Sequence, residues 1–179
     1  MRAWHFSETA YPYLPPADSY PSIRVSLPNK VYDPAKGAAL YDRYIDEWLI
    51  AEDEGVEIML NEHHQTATCV DPAAPLMLAA LARLSKKARL LILGNPVANR
   101  RQPVRVAEEM AMIDVLSHGR LEAGFVRGDS DGLVSANYLE GYAKLLPNAR
   151  TKTISGAGHL PHLEQPQTLA AAVSEFLEK

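Results

Sequence analysis

The residues able to do chemistry lie just after apolar runs. Glu62, His63 and His64 follow Val56 to Leu60, Gly94 and Asn95 follow Arg89 to Leu93, and Arg127 and Gly128 end the run that begins at Leu121. An imidazole titrates near neutrality and can exchange a proton with a reacting group. A guanidinium beside a glycine can grip a phosphate while the backbone approaches closely. Parallel α/β proteins build their sites at the carboxyl ends of their strands, so the position of these residues matters as much as their type.

The elements that would position them follow from periodicity and punctuation. Arg2 to Glu8 reads as a short strand. The segment after it carries Pro12, Pro15, Pro16, Pro21 and Pro28, a density that forbids helix and central strand and predicts a loop of about 25 residues over the strand ends. Asp33-Pro34 opens a helix with Leu40, Tyr44, Ile45, Trp48, Leu49 and Ala51 on its apolar face, closed by Gly55. A strand over Val56 to Leu60 leads to Asp71-Pro72, read as the cap of a second helix with Leu76, Ala80, Leu81 and Leu84 inward. Arg89 to Leu93 reads as a strand buried on both faces. Pro103 to Leu116 is a third helix, with Val106, Met110, Ile113 and Leu116 on one side, and Leu121 to Val126 a fourth strand. The βα rhythm continues through a helix over Asn137 to Leu146, a strand over Arg150 to Ile154 and a helix over Pro166 to Leu177, which gives an α/β fold of about five parallel βα units.

At 179 residues and 47% hydrophobic content the chain can bury a core, and its length fits one domain, 1–179. That is shorter than the about 250 residues of a complete TIM barrel. A net charge of -4 without a Lys/Arg run longer than two gives no footprint for nucleic acid. No uncharged apolar run reaches membrane-spanning length and the amino terminus lacks a signal-peptide core, so neither a membrane nor secretion is expected, and a cytoplasmic protein is the default. The single Cys69 has no internal disulfide partner. His63, His64 and Cys69 offer ligand types for zinc, but their spacing matches no standard site and no metal is expected from it.

Three motifs together resemble the bacterial-luciferase-like family of flavin-dependent monooxygenases. They are Glu62-His63-His64, the run Gln102-Pro103-Val104-Arg105-Val106-Ala107-Glu108-Glu109, and Ser117-His118-Gly119-Arg120-Leu121-Glu122-Ala123-Gly124-Phe125-Val126-Arg127-Gly128. The resemblance covers about residues 1–128. It implies a TIM-barrel-like part of the fold, reduced FMN or, in one branch, a deazaflavin as cofactor, dioxygen as oxidant, and a small-molecule substrate. By resemblance His63 is the acid/base histidine near the flavin, Arg127 with Gly128 meets the FMN phosphate, and Glu62, Gly94 and Asn95 line the flavin site. Many family members carry a cis peptide at the place of Gly94 and Asn95. Residue chemistry alone leaves His63 open to a structural or solvated role and Arg127 to a solvent-facing one.

Past Gly128 the sequence resembles the last part of an α/β-hydrolase. Gly128-Asp129-Ser130-Asp131-Gly132 is similar to the loop bearing that family's acid, and Gly156-Ala157-Gly158-His159 through Glu164-Gln165-Pro166 to its histidine loop and closing helix. The resemblance makes Asp131 and His159 the acid and base of a triad. No Gly-x-Ser-x-Gly elbow supplies the nucleophile. The chain thus reads as a luciferase-like segment, 1–128, continued by a hydrolase-like segment, 129–179. An open parallel sheet leaves edges with unpaired backbone groups, so self-association into a homo-oligomer is expected.

Overall fold

In a computed structural model, residues 2–95, 102–132, 136–145, 150–158 and 161–177 are described. The chain divides into two compact units, Ala3–Asn95 and Pro96–Lys179 together with Met1–Arg2. This boundary is upstream of residue 128, where the two resemblances meet.

The Ala3–Asn95 unit is built on β1 (Trp4–Ser7), α1 (Pro34–Asp53), β2 (Glu57–Asn61), α2 (Ala74–Leu84) and β3 (Leu90–Gly94). β2 pairs in parallel with β1 and with β3, with Phe6 opposite Met59 and Leu60 opposite Ile92. The proline-rich stretch after β1 forms the expected loop, interrupted only by single 3-10 turns at Ala17–Ser19 and Asn29–Val31. Asp33 caps α1, its side chain accepting from the amides of Ala35 and Lys36, and Pro34 needs no amide partner at the first position. α1 buries Gly37, Leu40, Tyr44, Trp48 and Glu52, one stripe at a spacing of three and four. Trp48 is fully buried and donates from Nε1 to the Met59 carbonyl at 3.2 Å, which locks helix to strand.

Glu52 shares the buried stripe although it is charged. Its carboxylate accepts from the backbone amides of Lys86, Lys87 and Ala88 at 2.6 to 3.1 Å, so it satisfies the donors of the chain entering β3. Gly55 follows with φ of +77°, the left-handed conformation that lets the chain turn back into β2.

α2 corrects the face expected from the sequence. Ala74, Pro75, Met77, Leu78, Leu81 and Ala82 are buried, while Leu76 and Leu84 face outward with Ala80. The helix is apolar all round, so its periodicity alone does not select the inner stripe.

The second unit contains α3 (Pro103–Leu116), β4 (Leu121–Glu122), β5 (Gly124–Gly128), α4 (Ala136–Leu145), β6 (Arg150–Ile154), α5 (Pro161–Glu164) and α6 (Pro166–Leu177). α3 buries Val106, Ala107, Met110 and Ile113, whereas Leu116 is partly exposed. The expected strand from Leu121 to Val126 is two strands, broken at Ala123, and β5 then pairs in parallel with β6 from Gly124 opposite Arg150 to Gly128 opposite Ile154. Among the described residues the β1–β2, β2–β3 and β5–β6 ladders are parallel, and no helix is long and apolar enough to cross a membrane.

Candidate functional site

The carboxyl end of β2 carries Asn61, Glu62, His63 and His64. Asn61 stands opposite Gly94 of β3 after a register irregularity, and the Glu62 amide donates to the Gly94 carbonyl at 3.0 Å. The strand ends there, because the His63 amide turns to the Asp71 carbonyl at 3.0 Å. The two histidines take different partners, His63 beside Asn61 and Glu8 and His64 beside Glu62. His63 Nε2 lies 3.0 Å from the Asn61 amide nitrogen and 3.8 Å from Glu8 Oε2. Asn61 and His63 thus form a side-chain pair in which the imidazole tautomer sets which atom donates. His64 Nε2 lies 3.0 Å from Glu62 Oε1.

Glu62 is fully buried at its side chain and both carboxylate oxygens have partners inside the chain. Oε1 meets His64, and Oε2 accepts from the Ala74 amide at 3.1 Å, at the start of α2. A carboxylate on orphan amides at a helix amino terminus is favourable both as a hydrogen-bond acceptor and against the helix dipole. Glu62 therefore holds the 62–73 loop to α2 by an internal contact.

Asp71, read from the sequence as a cap, accepts from the Ala73 amide through Oδ1 at 3.2 Å, while its buried Oδ2 has no hydrogen-bond partner. Burial pushes its carboxyl up to about 6; the Ala73 amide opposes the shift and the Glu62 charge adds to it. The loop itself is pinned to the segment after β1. The Tyr11 amide donates to the Thr68 carbonyl and the Val70 amide to the Thr9 carbonyl, both at 2.9 Å, which sets Cys69 opposite Ala10. Cys69, Glu8 and His63 are brought together by that pairing, their ligand atoms all within 4.8 Å of one another.

Of the sequence-derived site residues, Glu62, His63, Gly94 and Asn95 gather at the ends of β2 and β3. Asn95 has a buried Oδ1 without a hydrogen-bond partner, and no cis peptide bond occurs among the described residues. Sequence reasoning missed Asn61, which reads as the polar last residue of an apolar strand, and Glu8, whose signal is its place directly after β1.

Arg127 and Gly128 end β5, opposite Thr153 and Ile154. Gly128 is buried against the chain's own backbone: a Cβ there would lie 2.1 Å from the Gly158 carbonyl oxygen and 2.3 Å from that of Ala157. Glycine is thus required by close packing within the unit. Asp129 accepts from Ser155 Oγ and the Gly156 amide, both at 3.0 Å, and these bonds hold its carboxyl below the usual range. Asp131 is buried, with its amide on the Gly128 carbonyl at 3.3 Å. His159 lies outside the described residues.

The oxygenase component of a flavin-dependent trigonelline monooxygenase from Acinetobacter baylyi is 37% identical over 100 residues, which are 55% of this chain and 28% of that protein. The chain thus spans under a third of that relative's length. Apo-MsnO8 superposes with a TM-score of 0.51 at 16% identity, covering 79% of this chain and 36% of that one, a likeness of fold. The oxygenating constituent of 3,6-diketocamphane monooxygenase from Pseudomonas putida, solved with FMN, gives a TM-score of 0.48 at 18% identity over 69% of this chain and 29% of that one. Residues 25–133, more than half of the chain, match the luciferase-like monooxygenase family, and the chain belongs to that family.

Proposed function

We propose that this chain carries the acid/base end of a flavin-dependent monooxygenase site that takes FMN and a small organic substrate. The observation that supports it most is the placement of His63, whose Nε2 lies 3.0 Å from the Asn61 side-chain amide at the end of β2. Reduced flavin, when bound, supplies the electrons that activate dioxygen. His63 in its neutral form can accept a proton at Nε2 and return it, and Asn61 orients that atom. Glu62 acts as a positioning residue through α2 and His64. The fit to a flavin ring rests on Asn95, whose buried, partnerless Oδ1 is an acceptor that a ring imide N–H would satisfy.

Arg127 is the phosphate anchor in this reading, on the family resemblance alone. Gly128 lends it no phosphate cradle, since its open side is filled by residues 157–158. The segment 129–179 continues the fold as a hydrolase-like βα tail, supported by the parallel β5–β6 pair and the positions of α4 and α6. Asp131 and His159 form no hydrolytic centre in it without a nucleophile. Self-association through sheet edges belongs to the same proposal.

Flavin titration of the purified chain tests this reading. Arg127→Ala should weaken FMN by about 1.5 to 3 kcal/mol, the range for hydrogen bonds to charged groups. His63→Ala should leave affinity nearly unchanged and depress turnover, because proton transfer is needed for reaction and not for holding the ring. Equal affinity in parent and Arg127→Ala removes the phosphate role, and no binding at saturating FMN removes the flavin reading of the isolated chain.

A further inference from the structure

We propose that Glu8, His63 and Cys69 form a binding site for a single divalent transition metal of the zinc class, with an open fourth position. The three side chains come from different parts of the sequence: the residue after β1, the residue two beyond β2, and the loop before α2. Their ligand atoms lie within 4.8 Å of one another, and His63 Nε2 is 3.8 Å from Glu8 Oε2. Bond lengths of about 2.0 to 2.3 Å at tetrahedral angles give ligand edges of about 3.3 to 3.6 Å. Side-chain rotations of an ångström or less therefore close the site.

The backbone already fixes the hardest part. Cys69 cannot wander from Glu8, because hydrogen bonds from the Tyr11 amide to Thr68 and from the Val70 amide to Thr9 clamp the residues on either side of it. Thr9, with φ of +49° and its amide on Ser7 Oγ, makes the turn that presents Glu8. A thiolate, an imidazole and a carboxylate make a mixed set that suits zinc and excludes magnesium and calcium, which take oxygen ligands. A metal takes the neutral imidazole through the Nε2 lone pair, on the ring atom that meets Glu8 and Asn61. On binding, the metal replaces the Asn61 amide as partner of that atom. Asn61 is about nine-tenths buried and its Oδ1 has no hydrogen-bond partner, so it is an acceptor that a water in the fourth position would satisfy with a hydrogen bond. Glu8 is half-exposed and His63 a quarter exposed, which leaves the entry path open.

The charge and proton balance closes. The divalent ion meets one carboxylate and one thiolate, and the Cys69 Sγ–H gives one proton to solvent as the S–metal bond forms. Burial is the largest influence on that thiol and pushes its pKa up; Thr68 and Arg24 favour the thiolate, while Glu8 and Asp71 oppose it with burial. A metal bound to Glu8 neutralises one of the opposing charges. The His64 ring is not in the set, since its Nε2 is held by Glu62 Oε1 at 3.0 Å. Metal occupancy and proton transfer at His63 Nε2 exclude each other, because both use the same lone pair.

The test is titration of the full chain with cobalt(II) and with zinc(II). One cobalt(II) should bind per chain and give a thiolate-to-metal charge-transfer band in the near ultraviolet, with one proton released per ion, and zinc(II) should displace it. Cys69→Ser should abolish the band, and His63→Ala should weaken zinc by more than about 100-fold, beyond the loss typical of outer-shell changes. Glu8→Gln should weaken it about tenfold or more, and His64→Ala should leave both band and affinity intact. Circular dichroism of each variant separates ligand loss from unfolding. A cobalt spectrum without the charge-transfer band, or equal zinc affinity in the parent and in folded Cys69→Ser, would overturn the proposal.

Discussion

The two units solve the same problem, parallel strands covered by helices, with different investments in burial. In the Ala3–Asn95 unit, Trp48, Ile58, Leu60, Leu78, Leu81 and Leu90 are all fully buried, and the carboxylates of Glu52, Glu62 and Asp71 are taken inside, each accepting from at least one backbone amide. In the other unit, β6 reads Arg-Thr-Lys-Thr-Ile, and only Ile154 at its end is buried. Val126 of β5 is 43% exposed, and Val104, Met112 and Val115 of α3 are exposed as well. Apolar area removed from water is the main stabilising term in folding, so the stability of the first unit rests on its core. The second unit relies more on local polar ties such as Arg150 on the Phe176 carbonyl and Asp129 on Gly156.

The sharpest way to break this contrast is to truncate one apolar strand side chain in each unit, buried in the first and exposed in the second. Leu60→Ala, in the central strand β2, should cost about 3 to 5 kcal/mol in chemical denaturation, as large-to-small changes in tight cores do. Val126→Ala, in β5, should cost less than about 1 kcal/mol, the usual scale at exposed positions. Equal costs would mean that the two units share one level of packing.

A smaller loss is expected at Glu52. Glu52→Ala strips the acceptor from the amides of Lys86, Lys87 and Ala88 and should cost about 3 kcal/mol, because hydrogen bonds to a charge are strong and buried donors left without partners are penalised. Glu52→Gln, which keeps one acceptor oxygen, should recover part of that in the same denaturation assay.

Much of this organisation is legible in the sequence, for physical reasons that differ by element. α1 is readable at both ends because Asp33-Pro34 and Gly55 each have one conformational meaning. The tail's β6 and α6 fall at the expected positions. The inner face of α2 was not readable, since Leu76 and Leu78 are equally apolar and only tertiary packing chooses between them. The same limit governs the site. Glu62 and His63 are visible as polar residues after a strand, but which histidine meets Cys69, and that Glu8 joins them, depends on the pairing of residues 9–11 with 68–70, a contact across nearly 60 positions that no local spacing encodes.

Asp71 sharpens the contrast through pH. Its native carboxyl titrates at about 6 against an ordinary 3.8, so the folded state binds the proton more tightly than the unfolded state. Stability from this group is then full below about pH 4, falls as pH rises through the window to about 6, and is flat above it, by up to about 2 to 3 kcal/mol. Asp71→Asn keeps an acceptor for the Ala73 amide and cannot ionise. It should raise stability over the parent by about 1 to 2 kcal/mol at pH 8 and leave it unchanged at pH 4. A thermal unfolding series across that range checks the crossing, and a constant difference at all pH values would show that the charge is not the cause.

The smallest effect belongs to Asp129 in the second unit, and its sign in pH is opposite. The Gly156 amide and the Ser155 and Ser130 hydroxyls lower its folded pKa, so its contribution is present above the unfolded value and is lost as pH falls through the folded one. The group is fully exposed to solvent, where water competes for each of these bonds, so Asp129→Asn should leave the global unfolding midpoint essentially where it is. Its effect should appear locally. Gly156 sits at φ of +72° with its amide held by Asp129 Oδ2, and weakening that acceptor frees the amide to exchange with solvent. Amide hydrogen exchange should therefore quicken at Gly156 in the variant while the amides of β2 and β3 keep their rates. The parent should show the same local quickening as its carboxylate is protonated in acid, after correction for intrinsic exchange. Should the β2 and β3 amides quicken equally, Asp129 would be tied to global stability and the division between a core-built unit and one held by local polar ties would fail at this residue.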